Sequence, residues 1–164
     1  MSQVTSSSRA RVTTPSDQEI LIVREFDAPK HLVYKAYTAP ELVSRWWPGK
    51  RGAMQSCEID LRVGGQWRYV MRTPDGFEVA FHGEYSEIVP DERLVNTEVY
   101  EGAPPGSAPA LNVVTFEETD GRTTLTMLTR LESREVRDMI IDSGMEGGMQ
   151  EGMDLLEEIA ISLA

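Results

Sequence analysis

From Ser56 to Leu131 the chain is a succession of short segments that alternate apolar and polar residues, each closed by a turn signal. Only after Ser133 does a long apolar stripe at helical spacing begin. This order constrains the fold more than any other feature. Antiparallel strands that alternate in this way have one face to cover, and the C-terminal helix is the one element long enough to cover it. The segment Ser56–Leu61 sets Cys57, Ile59 and Leu61 against Ser56, Glu58 and Asp60, and Gly64-Gly65 marks a tight turn. Gln66–Thr73 sets Trp67, Tyr69 and Met71 against Arg68, Val70 and Arg72, and Pro74-Asp75-Gly76 closes a hairpin. Further strands are expected over Phe77–Ile88, Arg93–Glu101, Leu111–Glu117 and Arg122–Leu131. Asp120-Gly121 supplies the last hairpin turn, and the proline-rich loop Gly102–Pro109 is expected to be exposed.

Upstream, the branched apolar run within Gln18–Phe26 reads as a strand. Asp27 stands where an N-cap would, with Ala28 and Pro29 at the first helical positions, so a helix is expected to Thr38. Pro40 interrupts it, and a second short helix runs to Trp46 or Trp47 before Pro48-Gly49 ends it. Ser133, with Glu135 and Asp138 nearby, opens a C-terminal helical region that bends or breaks at Ser143-Gly144. Met145, Met149, Met153 and Leu156 then recur one turn apart, followed by Ile159 and Leu163. The expected fold is α+β: a curved, seven-stranded antiparallel sheet around a long C-terminal helix, with two short helices between strands one and two. One helix carrying Gly147, Gly148 and Gly152 cannot fill such a sheet, so a pocket is expected between them.

The 164 residues fit a single domain. Residues 1–17, rich in Ser and Thr, are expected to be a disordered tail, and residues 18–164 the domain. A net charge of −11 argues against nucleic acid and anionic membranes as partners, since both need clustered cations. No apolar run reaches the length of a membrane span and the N-terminus shows no apolar leader core, so the expected location is cytoplasmic. The expected state is a monomer or weak homodimer. Cys57 is the single cysteine, which rules out an intrachain disulfide and reads as a small core residue.

Little in the sequence points to catalysis. His31 and His82 are the only histidines and neither accompanies a nucleophile elbow. His82 and Glu84 lie two apart in a strand and so share a face, where they form a possible acid/base pair if that face looks inward. The residues supply no metal-ligand set, and Gly144–Gly152 lacks the lysine of a phosphate loop, so neither a metal nor another cofactor is expected. Aromatic and methionine stripes are ordinarily core, yet the same residues line apolar pockets. On that reading the ligand-binding residues are Trp47, Trp67, Tyr69, Met71, Phe81, Tyr85 and Met127, facing Met145, Met149 and Met153 of the C-terminal helix.

The ordered motifs also carry a resemblance. Ala28-Pro29, Tyr37-Thr38-Ala39-Pro40-Glu41-Leu42, Arg45-Trp46-Trp47 and Gly64-Gly65-Gln66-Trp67 are followed by Pro74-Asp75-Gly76, His82-Gly83-Glu84-Tyr85 and Glu87-Ile88-Val89-Pro90. Leu125-Thr126-Met127 and Gly144-Met145-Glu146-Gly147-Gly148-Met149 complete the set. Over about Glu19 to Leu163 the chain resembles the activator-of-heat-shock-protein-90-ATPase homologue family, within the START-like, birch-pollen-allergen-like (SRPBCC) superfamily. The resemblance implies a helix-grip fold and a START-like ligand-binding domain with a small hydrophobic or amphipathic ligand, lipids included. It leaves two alternatives open. One is a cyclase or dehydratase-type enzyme acting on a polyketide-like substrate, with His82, Glu84, Tyr69 and Tyr85 as candidates. The other is a co-chaperone-like interaction module tied to stress response.

Overall fold

In the computed structural model, which describes residues 9–164, eight strands form one antiparallel sheet. In chain order the elements are β1 (Arg11–Thr13), β2 (Glu19–Phe26), α1 (Lys30–Thr38), α2 (Pro40–Trp46), β3 (Ala53–Ile59) and β4 (Gln66–Arg72). There follow β5 (Glu78–Val89), β6 (Arg93–Tyr100), β7 (Ala110–Thr119), β8 (Arg122–Arg130), α3 (Arg134–Asp142) and α4 (Met145–Ser162). The strands lie side by side in the order β1-β2-β8-β7-β6-β5-β4-β3. The meander from β3 to β8 thus runs back across the sheet until β8 meets β2. Register shifts at Met54/Ser56 and Tyr85/Glu87 mark bulges, which bend strands and add twist.

The sheet has eight strands rather than the expected seven. The extra strand, β1, comes from residues read from the sequence as tail. Arg11, Val12 and Thr13 pair with Val23, Ile22 and Leu21. Just before β1, buried Ala10 is held by both backbone groups: its N–H donates to Gln150 Oε1 at 3.0 Å and its carbonyl accepts from Gln150 Nε2 at 2.8 Å. Nothing local announces this strand, because its partner on α4 lies 140 residues away. Residues 1–8 of that expected tail lie outside the described residues.

The start of α1 also departs from expectation. Pro29, not Asp27, is the N-cap, with extended backbone and no side-chain cap of its own. The first helical N–H is met from a distance, Lys30 N–H donating to Glu118 Oε1 of β7, and Asp27 N–H, ahead of the helix, donates to Glu157 Oε2 of α4. At the other end of the chain the local signals hold. Ser133 accepts from the Val136 N–H and starts α3, and the helix breaks at Gly144, whose φ is +85°. Asp120 and Gly121, at φ of +53° and +78°, form the two-residue turn joining β7 to β8. Leu61 falls past the end of β3 and is exposed.

The core is a layer between the sheet and the helices, built on Phe26, Val33, Val43, Val114, Phe116, Leu125 and Leu156. Within it lie two charged side chains, Arg24 and Glu157. Arg24 points inward between Ile22 and Phe26 and is 1% exposed. It donates to Asp154 Oδ1 at 2.8 Å and to Glu157 Oε1 at 2.9 Å, fastening β2 to the middle and end of α4. Breaking a buried pair from one side strands the other charge, which costs about 3–5 kcal/mol. Arg24→Met is therefore expected to lower stability by about that amount in urea unfolding, and Arg24→Met with Glu157→Gln to recover a large part of it. Equal losses in the single and double variants would show that the charge at Glu157 is not what Arg24 compensates.

Candidate functional site

A cavity of about 650 Å³ lies between the inner face of the sheet and α4. Strand pairing explains its walls. Tyr69 stands opposite Phe81 and Met71 opposite Val79 across β4 and β5, so all four project to the same side. Trp46 and Trp47 close one wall from α2, and Ile22, Leu94 and Met127 another from β2, β6 and β8. From α4 come Met145, Gly148, Met149, Gly152 and Met153. Every lining residue expected from sequence meets in this one space: Trp47, Trp67, Tyr69, Met71, Phe81, Tyr85, Met127, Met145, Met149 and Met153. Arg51 and Ser143 are the exposed members of the lining and mark its opening.

The aromatic side chains hold one another in edge contacts. Trp47 meets Tyr69 at a centroid distance of 5.2 Å and Phe81 at 5.5 Å, and Trp67 lies 4.7 Å from Tyr69. Trp46 donates from Nε1 to the Ala36 carbonyl at 2.8 Å, which fixes its ring on the α1–α2 corner. Gly83, across from Trp67, is required by close approach. A Cβ there would lie 1.8 Å from the Thr97 carbonyl oxygen and 2.7 Å from Trp67 Nε1.

The cavity is not wholly apolar, and its polar members are the ones that sequence reasoning missed. Glu98 of β6, with Asn96 and Asn112, lines the same space. Thr129 Oγ1 donates to Asn112 Oδ1 at 2.7 Å, and Asn112 Nδ2 donates to Glu98 Oε1 at 2.8 Å. The chain crosses three adjacent strands and presents the Glu98 carboxyl to the cavity. Burial there pushes the Glu98 carboxyl upward, and the bond from Asn112 offsets only part of this. Tyr37, Tyr69 and Tyr85 are pushed up as well, chiefly by burial. The Tyr37 hydroxyl donates to Met127 Sδ at 3.7 Å. The phase that places the missed residues is visible once the buried face is known. Leu94, Val114 and Leu125 are fully buried, and Glu98, Asn112 and Thr129 lie in phase with them along β6, β7 and β8.

His82 and Glu84 do not line this cavity. Both are exposed on the outer face of β5, in phase with Arg68 of β4, its partner across the strand pair. They are not bonded to each other. His82 Nδ1 sits 2.8 Å from Glu101 Oε2, and Glu101 also receives Arg68 Nε at 2.8 Å and Nη2 at 2.9 Å. These bonds hold the Glu101 carboxyl down at about 2. They border an open outer groove whose other members include Glu58, Gln66 and Glu84. His31 is exposed on α1. Cys57 is half-buried, its thiol pushed up to about 11 by burial. Among the described residues, no group of three or more His, Cys, Asp or Glu is placed to hold a metal ion. No described helix is long and apolar enough to cross a membrane.

Comparison with known proteins places this architecture. Residues 27–160 match the model of the family described as Activator of Hsp90 ATPase homolog 1-like protein, and the chain belongs to that family. Its fold is that of the SRPBCC superfamily. A crystal structure of a protein from Rhodobacter sphaeroides superposes with a TM-score of 0.87 at 23% identity, covering 94% of this chain and 99% of that one. A protein from Nitrosomonas europaea gives 0.80 at 26% identity over 90% and 96% of the two chains. One from Mycobacterium smegmatis gives 0.82 at 24% over 93% and 96%. At these identities the likeness carries the fold alone. No match was found among curated proteins.

The two shifted carboxyls give pH effects of opposite sign in separate windows. Glu98, raised from an ordinary value of 4.5, keeps its proton in the folded chain where the unfolded chain has lost it. Its contribution to stability therefore falls as pH rises above 4.5, through the folded value. Glu101, lowered to about 2, contributes above 4.5 and loses that contribution as pH falls toward 2. Glu98→Gln is expected to gain stability relative to the unaltered protein as pH rises from about 5 to about 8, measured by thermal unfolding. A difference independent of pH would place Glu98 in water.

Proposed function

We propose that this member of the family binds a small apolar or amphipathic molecule in the cavity between sheet and α4. The observation that carries the reading is the composition of one space of about 650 Å³ between sheet and helix. Aromatic rings from α2, β4 and β5 face a methionine and glycine stripe on α4. Ligand pockets span about 300–1,000 Å³, with mostly apolar and aromatic walls and a few polar groups. Methionine suits such a wall because its unbranched chain adapts to different ligand shapes. The glycines matter equally. Gly148 and Gly152 are buried on the face of α4 that looks into the cavity, so that stretch of the helix contributes backbone rather than bulk. Such fold relatives commonly take hydrophobic ligands, which supports the same reading.

Of the four candidates of the enzyme alternative, Tyr69 and Tyr85 line the cavity, but the acid/base pair His82 and Glu84 lies on the outer face and lends it no support. Binding of a hydrophobic molecule is the reading that uses the cavity as it stands.

Methylpyrene, an uncharged fluorescent aromatic, is a direct probe. It is expected to bind saturably and to quench tryptophan emission, because Trp46, Trp47 and Trp67 all line the cavity. Gly148→Leu is the control. The nearest atoms to a Cβ at Gly148 belong to the end of the flexible Arg51 side chain, 2.7 Å away at Cζ, and that end is held by one long bond, 3.5 Å, to the Trp47 carbonyl. The variant should fold with undiminished thermal stability, since glycine inside a helix is unfavourable by about 1 kcal/mol. It should bind methylpyrene at least about tenfold more weakly, a loss of about 1.4 kcal/mol. Absence of saturable binding by the unaltered protein, or unchanged affinity in folded Gly148→Leu, would remove the cavity as the binding site. Native mass spectrometry of protein from its own host then identifies the natural occupant.

A further inference from the structure

Among the polar side chains that line the mostly apolar cavity, three come from three neighbouring strands: Tyr69 of β4, Tyr85 of β5 and Glu98 of β6. Their protein partners do not exhaust them. Glu98 uses Oε1 to accept from Asn112, and among the described residues Oε2 has no protein partner. Tyr37 spends its hydroxyl on Met127. Among the described residues the hydroxyls of Tyr69 and Tyr85 have no such bond. Behind Glu98, Thr129 fixes the orientation of Asn112, so the carboxyl is held from the sheet and presented to the cavity.

We propose that the ligand carries a hydroxyl group on an apolar body, and that this hydroxyl donates to Glu98 Oε2 while accepting from the Tyr69 or Tyr85 hydroxyl. The inference rests on the ligand-binding reading above and names the chemistry of its ligand. A purely hydrocarbon molecule would displace water from the carboxyl and both phenols and leave them unpaired, which is unfavourable. A ligand carboxylate would bring a charge into a site whose burial already disfavours the charged form of Glu98. An ammonium would need two charges to be desolvated together. A hydroxyl supplies a donor to the carboxyl and an acceptor to the phenols from a single atom and without adding charge.

The test compares hydroxypyrene, methoxypyrene and methylpyrene on the intact protein. The first donates and accepts, the second only accepts, and the third does neither, on nearly the same frame. Hydroxypyrene is expected to bind at least about tenfold tighter than methylpyrene, with methoxypyrene losing most of that gain. In Glu98→Met the preference should shrink to less than about threefold, with methylpyrene binding as well as before or better. Equal affinities for hydroxypyrene and methylpyrene in the unaltered protein would overturn the proposal and leave the cavity reading intact. A hydroxyl preference that survives in Glu98→Met would overturn the assignment to Glu98. Should Glu98→Met fail to fold, the three-probe comparison on the unaltered protein decides alone. If none of the three binds, the ligand-binding reading itself fails.

Discussion

The architecture depends on one buried cation. Arg24 interrupts the apolar face of β2, and its charge is met by Asp154 and Glu157 on the last helix, while its Nε donates to the Glu25 carbonyl. A guanidinium in a dry interior has a high desolvation cost, so the folded state requires α4 to bring those carboxylates to it. The Glu157 carboxylate is used twice, since its second oxygen receives the Asp27 N–H just before α1. One residue therefore joins the end of β2, the approach to α1 and the C-terminal half of α4. Gln150 makes a second tie by bonding both backbone groups of Ala10.

These ties divide α4 into two parts with different work. Its C-terminal half carries Leu156, Glu157, Ile159 and Ala160, all buried in the layer shared with the helices and sheet. Its N-terminal half faces the cavity with methionines and glycines. Because the polar anchors fix the height of the helix over the sheet, the small residues cannot be compensated by collapse, and the space beneath them stays open. Cavities left by small side chains cost stability unless something fills them. The same space holds a carboxyl whose burial is unfavourable in its charged form. Both features lower the stability of the empty fold, and both are relieved by an occupant that is apolar in body and polar at one point.

Much of this was legible in the residues. Alternation along Gln66–Thr73 put Trp67, Tyr69 and Met71 on the side opposite the arginines, and helical spacing aligned Met145, Met149 and Met153. The structure brings these into one cavity. Turn chemistry at Asp120-Gly121 and the cap at Ser133 were equally readable, because each acts over a few residues. The errors share a cause. Alternation on β6 offers apolar residues on both faces, with Leu94 in phase with Glu98 and Val95 and Val99 out of phase, so the pattern does not choose a side. Asp27 looked like a helix cap because caps are usually local, whereas here the first helical N–H is met by Glu118 and the Asp27 N–H, ahead of the helix, by Glu157.

By itself the sequence determined the succession of elements, the pairing of turns with their residues and the apolar stripes that had to meet, since all of these follow from local periodicity and backbone preference. Only the tertiary structure decided which face of each strand was inside, and therefore that Arg24 and Glu98 are interior while His82 and Glu84 look out. It also decided that a stretch with no apolar periodicity becomes the eighth strand. The reason is physical: an interior polar group or a marginal strand is tolerated only where partners distant in sequence arrive to satisfy it. That arrival is a property of the assembled sheet and helix, not of any window of the chain.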